Sequence, residues 1–521
     1  MDKFYITTSI PYANAEPHIG HVLDPLISDV LARYYRLRGK NVRFLVGADE
    51  HGSKIARAAE KSGKNEQEFV DENCGKLQKM HQTLNISYDD FIRTSDQKRH
   101  WPGAQKMWKA LEASGDIYKK QYKGLYCVGH EAFITDKDMT NGKCQDHDAK
   151  PEVIEEENWF FRLSKYSKAI EGKIKSGDLK IVPESRKNEI LSFIGNGLED
   201  VSFSRPSKDL AWGVPVPGDP TQTMYVWCDA LVNYISSIGY GYEDKESKTL
   251  YKKWWPADMQ VIGKDNLRFH AAIWPGMLMS AGIKLPKAIF VHGFITVEGK
   301  KISKTIGNVI SPAEITNKFG IDPARYFFLR EFPSYADGDF SFLKLKERYN
   351  GDLANGLGNL VSRTATMIAK FYPDGLQKPD EQKLISVPIK KHITGPNGDT
   401  ISLAGKGIAS YINSIAFKEY EEFVESVRLN DALAEVGVII KLLDGYIQDY
   451  EPYKLAKTDQ ETCAAVLWNV AYGICKIALM IQPMMPETAN KVFDIFGIKP
   501  DLKTEWNNFS VKSIEPLFPR A

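Results

Sequence analysis

The feature that most constrains this chain is its opening: an apolar run from Phe4 to Ser9, a helical pattern from Val22 to Tyr35 closing at Gly39, and a second apolar run from Val42 to Val46. Short continuous apolar runs on either side of an amphipathic helix read as buried parallel strands joined by a crossover helix. Pro25 fits only the first turn of that helix, because deeper in it would remove a hydrogen bond and clash with the preceding turn. The helix therefore starts a few residues earlier, which places His18-Ile19-Gly20-His21 at its N-terminus. Free backbone N–H groups there favour an anion. The two imidazoles can donate to phosphate oxygens, and Gly20 leaves room for a flat purine beside the backbone. Taken alone, the competing reading of the tetrapeptide is two incidental histidines at a helix end.

A second signal of the same kind lies far downstream, in Lys301-Ile302-Ser303-Lys304-Thr305. Gly299 and Gly307 flank the two lysines, giving a hinged basic loop able to close over developing phosphate charge; solvated surface lysines are the alternative. Histidines at a helix start and a mobile basic loop together make a device for gripping a triphosphate from both ends, as carboxylate activation through an adenylate requires. The first strand-to-helix turn, Ser9 to Pro17, lacks the glycine spacing of a dinucleotide fingerprint, which argues against hydride chemistry. Asp49-Glu50-His51-Gly52 follows the second strand at the carboxyl edge, where open α/β sheets bind ligands. A carboxylate there suits an ammonium group, and an N-cap for the helix from Ser53 is the alternative. Trp227, Ala230, Leu231 and Tyr234 recur at i, i+3, i+4 and i+7, so one helix face carries two aromatics around a small and an aliphatic residue. That face reads as ordinary core or as an apolar slot suited to a thioether. Gly263-Lys264-Asp265-Asn266 follows the strand Gln260 to Ile262, with His270 one turn into the next helix. Asp265 suits a ribose hydroxyl, with capping again the competing role.

At 521 residues the chain exceeds one ordinary core, and two to four domains are expected. The reading is α/β: a split Rossmann-type parallel-sheet domain in 1–117 and 218–290, a connective insertion of short strands in 118–217, a basic-loop region in 291–345 and a helical bundle in 346–521. Strand and helix alternation resumes at Thr223 and runs through Gln260–Ile262 and Ala288–Val291 to complete the sheet. In the bundle, Leu353, Leu357, Leu360, Thr364 and Met367 mark one apolar face, and the Pro-, Gly- and Lys-rich stretch Pro373–Lys406 reads as a long loop or hairpin. Cys127-x2-His130 and Cys144-x2-His147 have knuckle spacing that suits a structural tetrahedral Zn2+, the alternative being a metal-free knuckle. Asn359 and Arg363 share a side of their helix away from the apolar stripe, and Tyr453 beyond Pro452 offers a stacking ring; base reading and a plain solvated face both fit. With 68 Lys and Arg against 67 Asp and Glu, any nucleic-acid surface is a local patch. Six scattered cysteines point to a reducing compartment. The expectation is a cytoplasmic protein without membrane contact, because no window approaches the ~20 apolar residues that span a bilayer and no leader-like segment opens the chain.

On these residues the chain resembles the class I aminoacyl-tRNA synthetases, through His18 to His21 and Lys301 to Thr305, and within them the methionyl-tRNA synthetase family over nearly its whole length. The narrower resemblance rests on Pro11-Tyr12-Ala13-Asn14, Asp49 to Gly52, Trp227 to Tyr234, Gly263-Lys264-Asp265 and Asn359-Leu360-x-x-Arg363. It implies a methionine pocket of Ile10, Tyr12, Asp49, Trp227, Ala230, Leu231, Tyr234 and His270, with Asp49 taking the ammonium. It implies ATP, with Mg2+, held by His18, Gly20, His21, Gly263, Asp265, Lys301 and Lys304, of which the two histidines and two lysines serve catalysis. Asn359, Arg363 and Tyr453 match positions that read the CAU anticodon of methionine tRNA, and the Cys127 to His147 knuckle matches the family's metal-binding insertion. The chain departs from the family's usual pattern at Ile302 and Thr305 in the basic loop, at His130 where cysteine is commoner, at Tyr453 in place of a frequent tryptophan and at Asn266 in place of an aliphatic residue. Two other readings compete with this one. A synthetase for another apolar amino acid would carry a larger editing insertion than the roughly 100 residues from 118 to 217. A non-catalytic tRNA-binding paralogue would not be expected to retain both histidines and both lysines. Nothing after Pro516 resembles an appended dimerisation domain, and a monomer is expected.

Overall fold

Six strands, Lys3–Thr8 (β1), Asn41–Ala48 (β2), Asp90–Arg93 (β3), Lys180–Val182 (β4), Met259–Gly263 (β5) and Ala288–His292 (β6), form one sheet of spatial order β3-β2-β1-β5-β6-β4. Every neighbouring pair is parallel. The computed structural model describes residues 2–128, 132–134, 138–145, 149–303, 307–394, 400–500, 506–512 and 515–519. The sheet lies in the first of two compact units, Met1–Ser28, Lys40–Gln82 and Ile86–His292. Its strands are near-continuous apolar runs because both faces are covered: Tyr5, Ile6, Phe44, Leu45, Val46, Val261, Ile262, Ile289, Phe290 and Val291 are all buried. Packing is closest at Gly47, where an added Cβ would lie 2.4 Å from the Ile92 carbonyl oxygen and 2.9 Å from Ile10 Cγ2. Only glycine lets Ile10 lie across β2 there.

The opening helix spans Leu23–Leu37, with Pro25 in its first turn, and a 3-10 turn, Ile19–His21, leads into it. Two details differ from the sequence expectation. Lys180–Val182 sits inside the stretch read as an insertion, yet it pairs with Ala288–Phe290 as an edge strand of the parallel sheet; three residues are too few to carry a periodic signal. Thr223 belongs to Asp219–Met224, which pairs antiparallel with Ser204–Pro206 and Pro215–Val216 and not with the parallel sheet. The rest of the insertion holds an antiparallel sheet built mainly on Ile117–Cys127 and Glu152–Phe161 and, beyond the short strands and turns expected, the helices Ser167–Ser176 and Glu184–Gly195.

The second unit comprises Asp29–Gly39, Thr83–Asn85 and Gly293–Ala521. It opens with a small sheet of Ile295–Val297, Lys300–Lys301 and Gly338–Phe340 and continues mostly as helices. The expected stripe forms: Leu353, Leu357, Leu360 and Thr364 are buried across the π-helix Tyr349–Gly358 and the helix Asn359–Phe371. Pro373–Lys406 contains the two-residue strand Leu376–Gln377, the helix Glu381–Ile385 and the hairpin strands Ile393–Thr394 and Thr400–Ile401. Helix Gln460–Ile481 corrects the reading that no segment is long and apolar enough to cross a bilayer. Its apolar residues are buried almost end to end as a core helix of this unit.

At the centre of the second unit Arg325 is fully buried. It donates to Asp29 Oδ2 at 2.7 Å and to the carbonyls of Leu84 (2.9 Å), Pro483 (3.0 Å) and Met484 (2.7 Å), and Asp29 also accepts from Arg33 at 2.8 Å. Removing one member of a buried ion pair leaves the other charge and several acceptors unsolvated, at a cost of about 3–5 kcal/mol. Arg325→Met is therefore expected to lower the urea midpoint of the helical unit, followed by far-ultraviolet circular dichroism. An unchanged midpoint would show the network to be dispensable.

Candidate active site

The carboxyl ends of β1 and β2 are stitched together just beyond the sheet. Asp49 N–H donates to the Pro11 carbonyl and Ala13 N–H to the Asp49 carbonyl, both at 2.9 Å, so Tyr12 and Asp49 form a parallel bridge. The Asp49 side chain is buried, and among its contacts Oδ1 accepts from His51 N–H at 3.4 Å and from the Thr94 hydroxyl at 3.5 Å. The capping alternative for Asp49 does not hold, because helix Ser53–Ser62 is capped by Gly52, at φ 98°, without a side-chain hydrogen bond. Tyr12 meets the Trp227 ring edge-on at 6.3 Å, and Trp227 stacks on Phe269 at 3.5 Å with the planes 7° apart. Ala230, Leu231 and Tyr234 are buried beside them in sequence.

The single helix expected for Trp227 to Tyr234 is instead two short ones, Val226–Ala230 and Asn233–Ser236. Leu231 and Val232 keep right-handed dihedrals, but Val232 N–H bonds to Asp229 and Ile235 N–H to Val232, a tighter three-residue spacing. Tyr234 is held from behind by Tyr5 of β1, whose hydroxyl donates to the Tyr234 carbonyl at 2.8 Å. The Tyr234 hydroxyl lies 2.6 Å from His270 Nε2, and His270 Nδ1 lies 3.0 Å from the Asn266 carbonyl. A carbonyl can only accept, so Nδ1 carries the proton and Nε2 accepts from the tyrosine. Burial holds His270 neutral by pushing its pKa down to about 4.

His18 and His21 form a reciprocal cap at the helix entrance. Gly20 N–H donates to His18 Nδ1 at 3.0 Å and His18 N–H donates to His21 Nδ1 at 3.1 Å. His18 Nδ1 is an acceptor, which puts its proton on Nε2; His21 Nδ1 lies 3.1 Å from His18 N and 3.3 Å from the His18 carbonyl, and burial lowers the His21 pKa so that this ring is neutral. Two imidazole N–H donors at a helix start suit an anion. At the end of β5, the 3-10 turn Lys264–Asn266 has Gly263 as its N-cap without a side-chain hydrogen bond, and the Asp265 carboxyl accepts from backbone N–H groups of its own turn. An added Cβ on Gly263 would lie 2.9 Å from Asp265 Oδ1.

Comparison with known proteins decides what this arrangement belongs to. Residues 4–145 and 136–365 match the family described as tRNA synthetases class I (M), and residues 396–518 match the anticodon binding domain of methionyl tRNA ligase. The methionine–tRNA ligase of Caldanaerobacter subterraneus subsp. tengcongensis is 41% identical over 99% of this chain and 78% of its own length. That of Brucella suis biovar 1 is 39% identical over 100% and 98%. Among solved structures, Mycobacterium tuberculosis methionyl-tRNA synthetase in complex with methionyl-adenylate superposes with a TM-score of 0.91, at 35% identity and with 100% of both chains covered. The chain belongs to the methionine–tRNA ligases, a family of class I aminoacyl-tRNA synthetases.

The other residues singled out from this ligase's sequence divide by unit. Lys301 is exposed in the second unit, where its carbonyl accepts from the Asn308 side chain at 3.1 Å while Asn308 Oδ1 accepts from Ser303 N–H at 2.9 Å. Lys304 lies outside the described residues. Gly299 and Gly307 both sit at positive φ, 73° and 76°. Asn359 is exposed, and so is Tyr453, whose hydroxyl donates to Glu451 at 2.7 Å. Arg363 is not simply solvated: it pairs with Asp444 at 2.7 Å. Cys127 and Cys144 are buried in one small cluster with Ile134, while His130 and His147 lie outside the described residues. Among the described residues no three metal-capable side chains come together.

Sequence reasoning in this methionine–tRNA ligase missed Phe269, whose only signal was its place beside His270, and the buried group His51, Asp229 and His100. The neutral His270 carries a pH signature. Its folded pKa of about 4 lies below the ordinary 6.5, so the unfolded chain binds the extra proton and stability falls as pH drops from 6.5 towards 4. His270→Gln is expected to flatten that part of the stability–pH curve in urea titrations at pH 7 and pH 5. A curve as steep as that of the parent would assign the acid loss to other groups.

Proposed function

We propose that this chain condenses L-methionine with ATP to methionyl-adenylate and passes the methionyl group to the 3′-terminal adenosine of methionine tRNA. The observation that carries this reading is the slot at the end of β1 and β2. There a buried Asp49 carboxylate adjoins Tyr12, and Tyr12 adjoins the Trp227–Phe269 stack. In the proposed reaction the methionine carboxylate oxygen attacks the α-phosphorus, the bond to the β-phosphate bridging oxygen breaks and pyrophosphate leaves. A ribose hydroxyl of the tRNA then attacks the activated carbonyl, the 2′-hydroxyl first by class I resemblance, and releases AMP. Asp49 holds the ammonium, Ile10, Ala230, Leu231 and Tyr234 bound the side chain, and Asp265 takes the ribose. His18 and His21 donate from Nε2 to the phosphates, and Lys301 and Lys304 close on the pyrophosphate. No covalent nucleophile is needed, because positioning and charge stabilisation supply the acceleration. Mg2+ bound to the triphosphate supplies further charge neutralisation.

Asn359, Arg363 and Tyr453 are assigned to the CAU anticodon, with Arg363 exchanging Asp444 for the nucleic acid. The domain reading of 1–117, 118–217, 218–290, 291–345 and 346–521 is kept for the division of labour, in a cytoplasmic monomer that acts away from membranes. For the insertion, the donor chemistry fits Zn2+: two buried thiols share one cluster and two histidines follow them at knuckle spacing. Cys127, His130, Cys144 and His147 would hold the ion, which would serve as a structural clasp.

The decisive measurement is amino-acid-dependent exchange of pyrophosphate into ATP across all twenty amino acids. Exchange with methionine alone is expected, and exchange with none would leave a tRNA-binding paralogue. Lys304→Ala is expected to reduce the exchange kcat by about 100-fold with little change in methionine KM; the reverse pattern would move Lys304 out of the phosphate site. Metal analysis of the purified protein should give one zinc per chain, lost in Cys127→Ser. A zinc-free protein with an unaltered insertion would favour the metal-free knuckle.

A further inference from the structure

Asp229 stands between Trp227 and Ala230, and nothing in the reaction above uses it. It is completely buried, yet it is ionised: burial pushes its pKa up, and His51 and His100 outweigh that and hold it at about 2. His51 Nδ1 donates to Oδ2 at 2.5 Å and His100 Nε2 donates to Oδ1 at 2.6 Å. Both rings are buried as well. On its far side His100 Nδ1 meets the Ser236 hydroxyl at 2.9 Å, so His100 touches both of the short helices that replace the single one expected. His51 belongs to the turn of Asp49, and its own N–H points at Asp49 Oδ1. Its neighbour Glu50 donates N–H to Thr94 Oγ1 at 2.8 Å and is clamped by Arg93 and Cys74. Glu50 is thus held within the first unit.

We infer that Asp229 is a positioning residue of the amino-acid slot, bonding His51 and His100 so that the turn carrying Asp49 and the helix carrying Trp227 keep one fixed register. The inference rests on the proposed function. Apolar packing could join the same elements without desolvating a carboxylate, and often does so at no loss of stability. What an ion with two directed hydrogen bonds adds is a single geometry. The two ends of the substrate need that: the ammonium site and the thioether slot stand on different chain segments, and their spacing must match one amino acid.

The test is methionine-dependent pyrophosphate exchange by the full-length enzyme, with KM measured separately for methionine and ATP. Asp229→Asn is expected to raise the methionine KM by about tenfold or more while the ATP KM stays within about twofold. His51→Leu should do the same. His51→Asn, whose amide N–H can take the place of Nδ1–H, should restore the methionine KM to within about threefold of the parent. If Asp229→Asn fails to fold, the two His51 variants decide the question. Equal KM changes for both substrates, no change for methionine, or equal behaviour of His51→Asn and His51→Leu would overturn the inference and leave the proposed function standing. Absence of exchange in the parent enzyme would overturn both.

Discussion

The candidate site depends on where β1 sits in the sheet. With β2 on one side and β5 on the other, β1 is the point at which the strand order reverses direction. In an open parallel sheet the loops leaving such a point diverge and open a crevice at the carboxyl edge. Neighbouring strands lie about 4.8 Å apart, so the three ends fall within roughly 10 Å of one another. They deliver Tyr12, Asp49 and Asp265 there before any loop has to search for a position. The register bonds Thr7 between Leu45 and Gln260, and it is this ladder, not the loops, that sets the spacing. Gly47 shows how little slack remains, since even one methyl group would strike the Ile92 carbonyl.

Around that crevice the imidazoles are used in two distinct ways. His21 and His270 are neutral, because burial disfavours the charged ring more than nearby carboxylates favour it. A neutral ring keeps one N–H as a donor, and for His270 the Asn266 carbonyl and the Tyr234 hydroxyl fix which nitrogen carries it. His51 and His100 instead face a carboxylate that stays ionised because they donate to it. The same side chain therefore provides an oriented donor at the helix entrance and a brace behind the slot. The surrounding burial and the nearest acceptor make the difference, not the residue type.

Much of this was legible in the sequence because it rests on local rules. The apolar runs gave the central strands to within one or two residues, and Pro25 alone sufficed to place His18 to His21 at a helix start. What escaped depends on contacts between distant segments. Lys180–Val182 is a strand only because β6 offers an open edge, and three residues carry no pattern of their own. The break at Leu231 leaves every residue in the right-handed region, so no glycine or proline announced it. Phe269 could be paired with Trp227 only once the two chain segments were brought together. Asp229 lay within a recognised motif, but its role depends on His100, which stands 129 residues away with no signal of its own. The capping alternatives for Asp49 and Asp265 are a real ambiguity in the sequence, which geometry removes for Asp49, because helix Ser53–Ser62 begins at Gly52 without side-chain help, and leaves for Asp265, whose carboxyl bonds backbone N–H groups of its own turn.

Selection of methionine is the harder physical problem for such a site, because the thioether offers no strong hydrogen-bonding group and a single methylene is worth only about 1–3 kcal/mol. In the proposed slot the polar atoms of Tyr234 and His270 are paired within the wall, while the buried Trp227 Nε1–H has no partner among the described residues. The Tyr234 hydroxyl is donated to His270 Nε2, His270 Nδ1–H is given to the Asn266 carbonyl, and the Tyr234 carbonyl accepts from Tyr5. A polar side chain entering there would lose its water and find both imidazole nitrogens already engaged, which is a penalty larger than a missing methylene. Sulfur loses little on desolvation and gains contact with aromatic rings, which the stacked Trp227 and Phe269 supply. On the proposed reading, rejection of polar amino acids is assigned to the paired Tyr234 and His270. On the proposed reading, rejection of shorter and branched apolar ones is assigned to the bonds by which Asp229 ties the Trp227 helix to the Asp49 turn.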